Sequence, residues 1–187
     1  MELRDRLHQA TEQLPATPPL RASIHPFEAE LFTEHWVIHG TLSSPESRLS
    51  DQLNGFLPAL DLHVDYIADV RSGAREDCSC GTGYVTKASI LLAIPLAEPP
   101  RPQHTDNADW RPTAKRACWA GIGAYRVRGW IHTENGRDPH MALRLLDKNY
   151  LPVTDVTITL PDGSTREVPT VLVNRSRLDV LTLELAG

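Results

Sequence analysis

The residues best suited to chemistry in this chain are two cysteines separated by a single residue. Cys78 and Cys80 lie in the glycine-flanked segment RSGAREDCSCGTG, and thiolates at such short spacing bind soft metals such as zinc. A structural zinc site needs four ligands, so Cys118 and one of His104, His35 or His39 must complete it, with His104 in the preferred set. One hypothesis is therefore a zinc site formed by these four residues, and the alternative is a loop of small residues.

No arrangement typical of catalysis accompanies these cysteines. The sequence contains no G-x-S-x-G element, no P-loop and no dinucleotide-binding fingerprint. Its histidines on predicted strands occur singly, which is more typical of surface or packed residues than of a general base. Because no nucleophile, base or metal stands in a definable relation to another, we expect a non-catalytic protein.

Three sequence blocks occur twice in the chain and in the same order. FLPALDLHV resembles YLPVTDVTI, which aligns Asp61 with Asp155. Upstream, WVIHGTL resembles YRVRGWI and aligns Gly40 with Gly129; downstream, VTKASILLAI resembles VNRSRLDVLT. This order predicts a duplicated structural unit. The alternative is that unrelated strands look alike because all strands alternate.

The downstream blocks place a basic residue at the same point of both copies, just before the final strand. These residues are Lys87 and Arg175, and Arg177 follows closely. Two cations related by a pseudo-twofold axis favour a dianionic or two-phosphate ligand, since charge-assisted hydrogen bonds are the stronger kind. The alternative is a pair of solvated charges at strand ends.

The composition is that of an ordinary globular protein. The chain has 187 residues, of which 41% are hydrophobic, and a net charge of −5, which disfavours nonspecific binding to nucleic acid. No run approaches the roughly 18 apolar residues that a membrane span requires, and the charged N-terminal segment lacks the apolar core of a signal peptide. With three cysteines and no secretion signal, we expect a cytoplasmic protein with reduced thiols and no membrane partner.

Hydrophobic periodicity predicts a mainly β protein that begins with an α-helix. Apolar residues at helical spacing over residues 1–14 predict the helix, and later segments alternate as strands do. Each repeat is predicted to form a small antiparallel barrel-like unit with a short inserted helix. The predicted domains are an N-terminal helix and linker (1–33), a first β-repeat (34–96), a proline-rich linker (97–117) and a second β-repeat (118–187).

The two repeats resemble the two-part signature of Sm-like small β-barrels. The matching residues are Val37, Gly40, Leu42, Asn54, Leu57, Asp61, Val64, Gly83, Val85, Ile90 and Ile94 in the first repeat, and Val127, Gly129, Ile131, Leu151, Asp155, Ile158, Val173 and Leu178 in the second. The resemblance implies a tandem small-barrel fold and a role in RNA binding or assembly. It also implies a ligand site formed by Asn54 and Lys87 in the first repeat and by Arg175 in the second.

Three functions are consistent with a duplicated unit of this kind. The first, which we expect, is a non-catalytic binding or regulatory module that acts through protein–protein interaction or self-association and needs no cofactor. The second is an RNA- or nucleotide-binding protein in which phosphate contacts come from Asn54, Lys87, Arg175 and Arg177. The third is a zinc-dependent protein built on the Cys78/Cys80 loop.

Overall fold

A computed structural model of the chain describes residues 25–44, 48–78, 81–97, 113–134, 141 and 148–184. These residues form eleven β-strands and one α-helix, and all the strands belong to a single antiparallel sheet. The prediction of a mainly β protein is confirmed. The predicted helix over residues 1–14 and most of the proline-rich linker lie outside the described residues.

Residues 25–97, called the first half here, contain six strands and helix α1 among the described residues. In chain order these elements are β1 (His25–Phe32), β2 (Trp36–Ser44), α1 (Leu49–Asn54), β3 (Ala59–Asp69), β4 (Arg75–Asp77), β5 (Thr82–Thr86), a 3₁₀ turn (Lys87–Ser89) and β6 (Leu92–Ala97). The start of β3 shows why the strands form: Leu60 and Leu62 are buried, whereas Asp61 and His63 between and after them are exposed.

Residues 113–184, called the second half here, contain the other five strands. They are β7 (Thr113–Ile122), β8 (Tyr125–Glu134), β9 (Tyr150–Thr159), β10 (Thr165–Asn174), a 3₁₀ turn (Arg175–Arg177) and β11 (Val180–Leu183). The PDGS segment forms the turn between β9 and β10, as its sequence predicts. Gly163 in this turn has a φ of +84°, a conformation that glycine adopts without steric cost.

The two halves resemble each other in the order of most of their described strands and in how those strands pair. The strand order is β6-β1-β2-β3-β5 in the first half and β11-β7-β8-β9-β10 in the second, with β4 following β5 along the same side of β3. The 3₁₀ turns are anchored alike: Lys87 N–H donates to the Pro58 carbonyl at 2.9 Å, and Arg175 N–H to the Asn149 carbonyl at 2.8 Å. Lys87 and Arg175 therefore begin their 3₁₀ turns with corresponding backbone hydrogen bonds.

Gly40 and Gly129, which the sequence aligns, occupy equivalent irregularities between the second and third strands of each half. The pairing register shifts at both glycines. A Cβ on Gly40 would lie 2.5 Å from the carbonyl oxygen of His63, and a Cβ on Gly129 would lie 2.8 Å from that of Thr154. The neighbouring strand passes too close for a side chain, so both positions require glycine.

The predicted match of Asp61 with Asp155 is wrong. Asp61 lies opposite Tyr84 on β5, whereas the residue of β9 in this position is Pro152, which lies opposite Leu172 on β10. Asp155 lies further along β9 at the register shift, and its φ is +50°. The hydrogen bonds of the 3₁₀ turns place Pro58 level with Asn149, whereas matching by residue type pairs Pro58 with Pro152, so the type match displaces β9 by three residues.

The buried side chains form two apolar clusters, and each cluster takes residues from both halves. The larger consists mainly of second-half residues, joined by Phe32, Leu91, Leu92 and Ile94 of the first half. The smaller consists mainly of first-half residues, joined by Tyr150 and Leu172 of the second. Burying each such side chain contributes about 2 kcal/mol. The free energy contributed by contacts between the halves is therefore large compared with a typical total stability of roughly 5–15 kcal/mol.

Candidate functional site

The two halves meet where β10 pairs with the beginning of β6. In this antiparallel pair Val173 lies opposite Leu92, and the N–H of Asn174 donates to the carbonyl of Leu91 at 2.9 Å. We call this pairing and the side chains packed around it the junction. Strand β10 precedes the 3₁₀ turn of the second half, whereas β6 follows the 3₁₀ turn of the first half. The junction is therefore formed by strands at non-equivalent positions in the two halves.

Tyr150 lies at the polar centre of the junction. Its hydroxyl donates to the carbonyl of Lys87 at 2.6 Å and lies 3.2 Å from the carbonyl of Ile90. The side-chain amide of Asn174 donates to that Ile90 carbonyl at 2.8 Å. Burial raises the pKa of Tyr150, so its phenol stays protonated and remains a hydrogen-bond donor at neutral pH.

Asn54, one of the predicted ligand residues, links α1 to β9. Its side-chain amide donates to the carbonyl of Ser50 at 2.8 Å, and its side-chain oxygen accepts from the N–H of Tyr150 at 2.9 Å. The same amide lies 3.4 Å from the Tyr150 carbonyl. Asn54 therefore satisfies backbone groups in both halves of the protein.

Lys87, the second predicted ligand residue, caps the end of α1. Its side chain is largely buried, and Nζ donates to the carbonyl of Gln52 and, at 3.0 Å, to that of Gly55. Carbonyl groups at a helix C-terminus lack intrahelical partners and carry partial negative charge, so they stabilise a cation placed there. The ammonium group thus has a structural role in these contacts.

Arg177 also connects the halves. Its guanidinium donates to the carbonyl of Ala88 at 3.2 Å and forms an ion pair with Glu34. Arg175 lies two residues earlier in the same 3₁₀ turn. The structure therefore brings Asn54, Lys87 and Arg177 to the junction and its edge, where each bonds to protein groups.

Cys78 and Cys118, two of the cysteines predicted to share a zinc site, lie on separate parts of the sheet. Cys118 is buried on β7, where burial raises the pKa of its thiol to about 11, and Cys78 directly follows β4. Strands β7 and β4 lie near opposite ends of the strand order. Cys80 and His104 fall outside the described residues. Within the described ranges, no three His, Cys, Asp or Glu side chains are placed to hold a metal ion.

A groove lies beside β5 at the edge of the first half. It has a volume of about 400 Å³, and its lining includes Trp36, Ile38, Tyr84, Val85, Thr86 and Arg177. We call it the open groove because, among the described residues, no strand pairs with the outer side of β5. The N–H of Lys87 points towards β3, so by the alternation of antiparallel pairing the N–H of Thr86 points outward into the groove.

The open groove corresponds to the surface that β6 covers in the second half. Trp36 and Tyr125 each begin the second strand of their half, and Tyr84 and Leu172 each lie two residues before the end of the strand that precedes the 3₁₀ turn. Tyr125 and Leu172 are only 1% and 2% exposed, whereas Trp36 and Tyr84 are 43% and 76% exposed. Two aromatic side chains thus stay uncovered where their counterparts are buried.

Comparison with known proteins finds no matching family model, no matching curated protein and no matching solved structure. Among the described residues, no helix is long and apolar enough to cross a membrane. The function must therefore be inferred from the geometry of the groove itself.

Sequence analysis does not identify Trp36 and Tyr84 as functional residues, because aromatic residues on strands are usually core residues. The repeated sequence blocks contain a signal that could find them. When two halves with similar strand pairing join edge to edge, one edge of each half is used and the other edge of each stays open. Aligning Val85 with Val173 also aligns Tyr84 with the buried Leu172, and so marks the residues of the open edge.

Proposed function

We propose that the chain is a non-catalytic protein-interaction module that binds an extended protein segment in the open groove. In this proposal the first and second halves are two repeated, Sm-like, barrel-like units. The junction is the single observation that carries the proposal: in the second half, the equivalent surface already holds a strand, the beginning of β6. A surface that binds a strand in one unit is suited to bind a strand in the other.

The groove offers both kinds of contact that strand addition needs. The outward N–H of Thr86 supplies backbone hydrogen bonding, which gives affinity without regard to sequence. Trp36 and Tyr84 supply large apolar surfaces with limited conformational freedom, a combination common in binding sites. The ion pair between Arg177 and Glu34 forms a polar rim. The expected ligand is therefore an extended segment with apolar residues.

The same proposal includes a regulatory role, since a non-catalytic module affects other proteins by binding them.

We place the protein in the cytoplasm, on the grounds of composition and cysteine content given above. The RNA- or nucleotide-binding alternative is supported by the Sm-like resemblance, and zinc binding by the short spacing of Cys78 and Cys80.

The proposal predicts that a peptide copying the natural occupant of the equivalent surface binds the open groove. The probe is a fluorescent peptide of residues 89–97, SILLAIPLA, extended with lysines for solubility. Fluorescence anisotropy is expected to show saturable binding to the wild type, lost in Thr86→Pro and retained in Thr86→Val. The Thr86 φ of −66° already suits proline, so Thr86→Pro removes the outward N–H while keeping the backbone conformation.

Two results would contradict this function. One is the absence of peptide binding, and the other is equal binding to the wild type and to Thr86→Pro. Binding of short RNA at low salt, weakened at moderate salt, in the absence of peptide binding would favour the nucleic-acid alternative.

A further inference from the structure

The chain has a second open edge, on β11. Among the described residues, β11 pairs only with β7. It follows the second 3₁₀ turn as β6 follows the first, so it is the equivalent of the strand that fills the junction. Val180 is the first residue of β11, and Leu92 is the first residue of β6. Val180 is 41% exposed, whereas Leu92 is 0% exposed. Within the described ranges, the sheet thus has an open groove at one end and, near the other end, an unpaired equivalent of the strand that fills the junction.

We propose that β11 of one copy occupies the open groove of a second copy, in the register of the junction. The ligand of the groove is then this same protein, an inference that rests on the function proposed above. Transferring the junction register places Val180 opposite Val85 of the second copy. It also directs the N–H of Thr86 to the carbonyl of Asp179, as the N–H of Asn174 is directed to Leu91.

The side chains at the two open edges differ from the junction in a compensating way. At the junction, Phe32 meets Tyr125 edge to face, with ring centroids 5.7 Å apart and planes at 82°. Phe32 lies opposite Leu92, the first residue of β6. Gly121 lies opposite Val180, the first residue of β11, and is therefore the equivalent of Phe32. The groove carries the larger Trp36 in place of Tyr125. The β11 edge thus lacks an aromatic ring that the junction has, and the groove has a larger ring than the junction. This is expected if the β11 edge of one copy contacts the groove of another.

The short length of β11 is no obstacle to this pairing. The junction itself uses only two paired positions on each strand, together with the hydrogen bond from Asn174 to Leu91. Asp179 replaces the apolar Leu91, so we expect a weaker and reversible contact. The two edges are different surfaces, so the association is head to tail and produces either a closed ring or an open chain of copies.

Sedimentation of the full-length protein tests this association. The wild type is expected to show a weight-average mass that rises with concentration above the 20.8 kDa of one chain. Thr86→Pro blocks the groove and Val180→Lys blocks the β11 edge, so each alone is expected to stay at single-chain mass. The matched controls Thr86→Val and Val180→Ile are expected to behave as the wild type.

Mixing the two blocked variants gives a result that other modes of association do not give. The Val180→Lys chain keeps an intact groove, and the Thr86→Pro chain keeps an intact β11. An equimolar mixture is therefore expected to form a dimer of twice the single-chain mass and nothing larger. Tyr84→Lys serves as a second groove variant, because the 76% exposed side chain of Tyr84 contributes little to folding. Circular dichroism confirms that each variant is folded.

Three results would overturn the pairing: a wild type that remains a single chain at all concentrations, blocked variants that associate like the wild type, or a mixture that does not dimerise. The peptide titration separates this inference from the function beneath it. If the wild type stays a single chain but still binds the peptide of residues 89–97, the interaction function stands and only self-association is contradicted. If the wild type neither associates nor binds the peptide, both proposals are contradicted.

Discussion

Replacing Asn54 by alanine distinguishes a structural asparagine from a ligand-binding one. The side chain satisfies the N–H of Tyr150 in one half and the carbonyl of Ser50 in the other. Tyr150 is buried, so in Asn54→Ala water has little access to the N–H that loses its acceptor. We therefore expect a clear loss of stability from a residue that the Sm-like resemblance assigns to ligand binding.

The size of the loss follows from these two contacts. Leaving a buried donor without a partner costs about 1–3 kcal/mol, and losing an ordinary hydrogen bond costs about 0.5–1.5 kcal/mol. Asn54→Ala is thus expected to lower the free energy of unfolding by about 1.5–4.5 kcal/mol. Asn54→Asp keeps an oxygen acceptor for Tyr150 but loses the donor to Ser50, so its loss is expected to be smaller.

Urea denaturation of the full chain, followed by circular dichroism, measures these differences. Asn149→Ala is the matched control, because Asn149 immediately precedes Tyr150 but is exposed. Its effect is expected to stay within about 0.5 kcal/mol. If Asn54→Ala is as stable as Asn149→Ala, the hydrogen bonds across the junction do not hold the halves together as described, and a ligand role for Asn54 regains support.

Two further predictions concern the sheet and the core. Gly129→Ala places a Cβ 2.8 Å from a β9 carbonyl oxygen and is expected to lower the free energy of unfolding in urea by about 1–3 kcal/mol. A loss within about 0.5 kcal/mol, the usual effect of a surface substitution, would contradict the close approach. The pKa of Cys118 rises from 9.0 to about 11 on burial, so the folded state holds the proton more tightly and stability falls as pH rises from about 9 to 11. Thermal unfolding of Cys118→Val is expected to show a shallower alkaline decline than the wild type, and identical slopes would exclude this contribution.

The parts of the fold that the sequence predicts are those that local chemistry determines. Alternation of apolar and polar residues marks β3, and proline, aspartate and glycine mark the turn between β9 and β10. The aligned glycines, Gly40 and Gly129, are also predictable, because a close backbone approach excludes any other residue at both positions. The alternation and the turn depend on a few residues adjacent in sequence, whereas the two glycines are found through the repeated block that contains them.

The alignment of Asp61 with Asp155 fails because it matches the start of β3 with a part of β9 three residues too far along: Pro58 is level with Asn149, not with Pro152. The pleat has a period of two, so the irregularity at Asp155 exchanges the buried and exposed positions beyond it, and this part of β9 then alternates as the start of β3 does. The buried residues of β9 show this change: Leu151 and Val153 precede Asp155, and Val156 and Ile158 follow it. Only the strand pairing on either side reveals where the irregularity lies.

The candidate site was less predictable, because the same side-chain chemistry serves two purposes. Amide and ammonium groups bind phosphate, but they also satisfy backbone groups where two units meet, and the sequence does not distinguish these uses. Asn54 and Lys87 both bond to carbonyl groups around α1 and the junction, so the polar residues that attract attention in the sequence stabilise the contact between the halves. Trp36 and Tyr84 have the opposite character: in the sequence they are ordinary strand residues. A functional role for them emerges only when the covered surface of the second half is compared with the uncovered surface of the first. Where two halves of one sheet pair their strands in similar ways, the differences between corresponding positions are thus more informative about binding than the similarities, since the similarities follow from the shared pairing pattern.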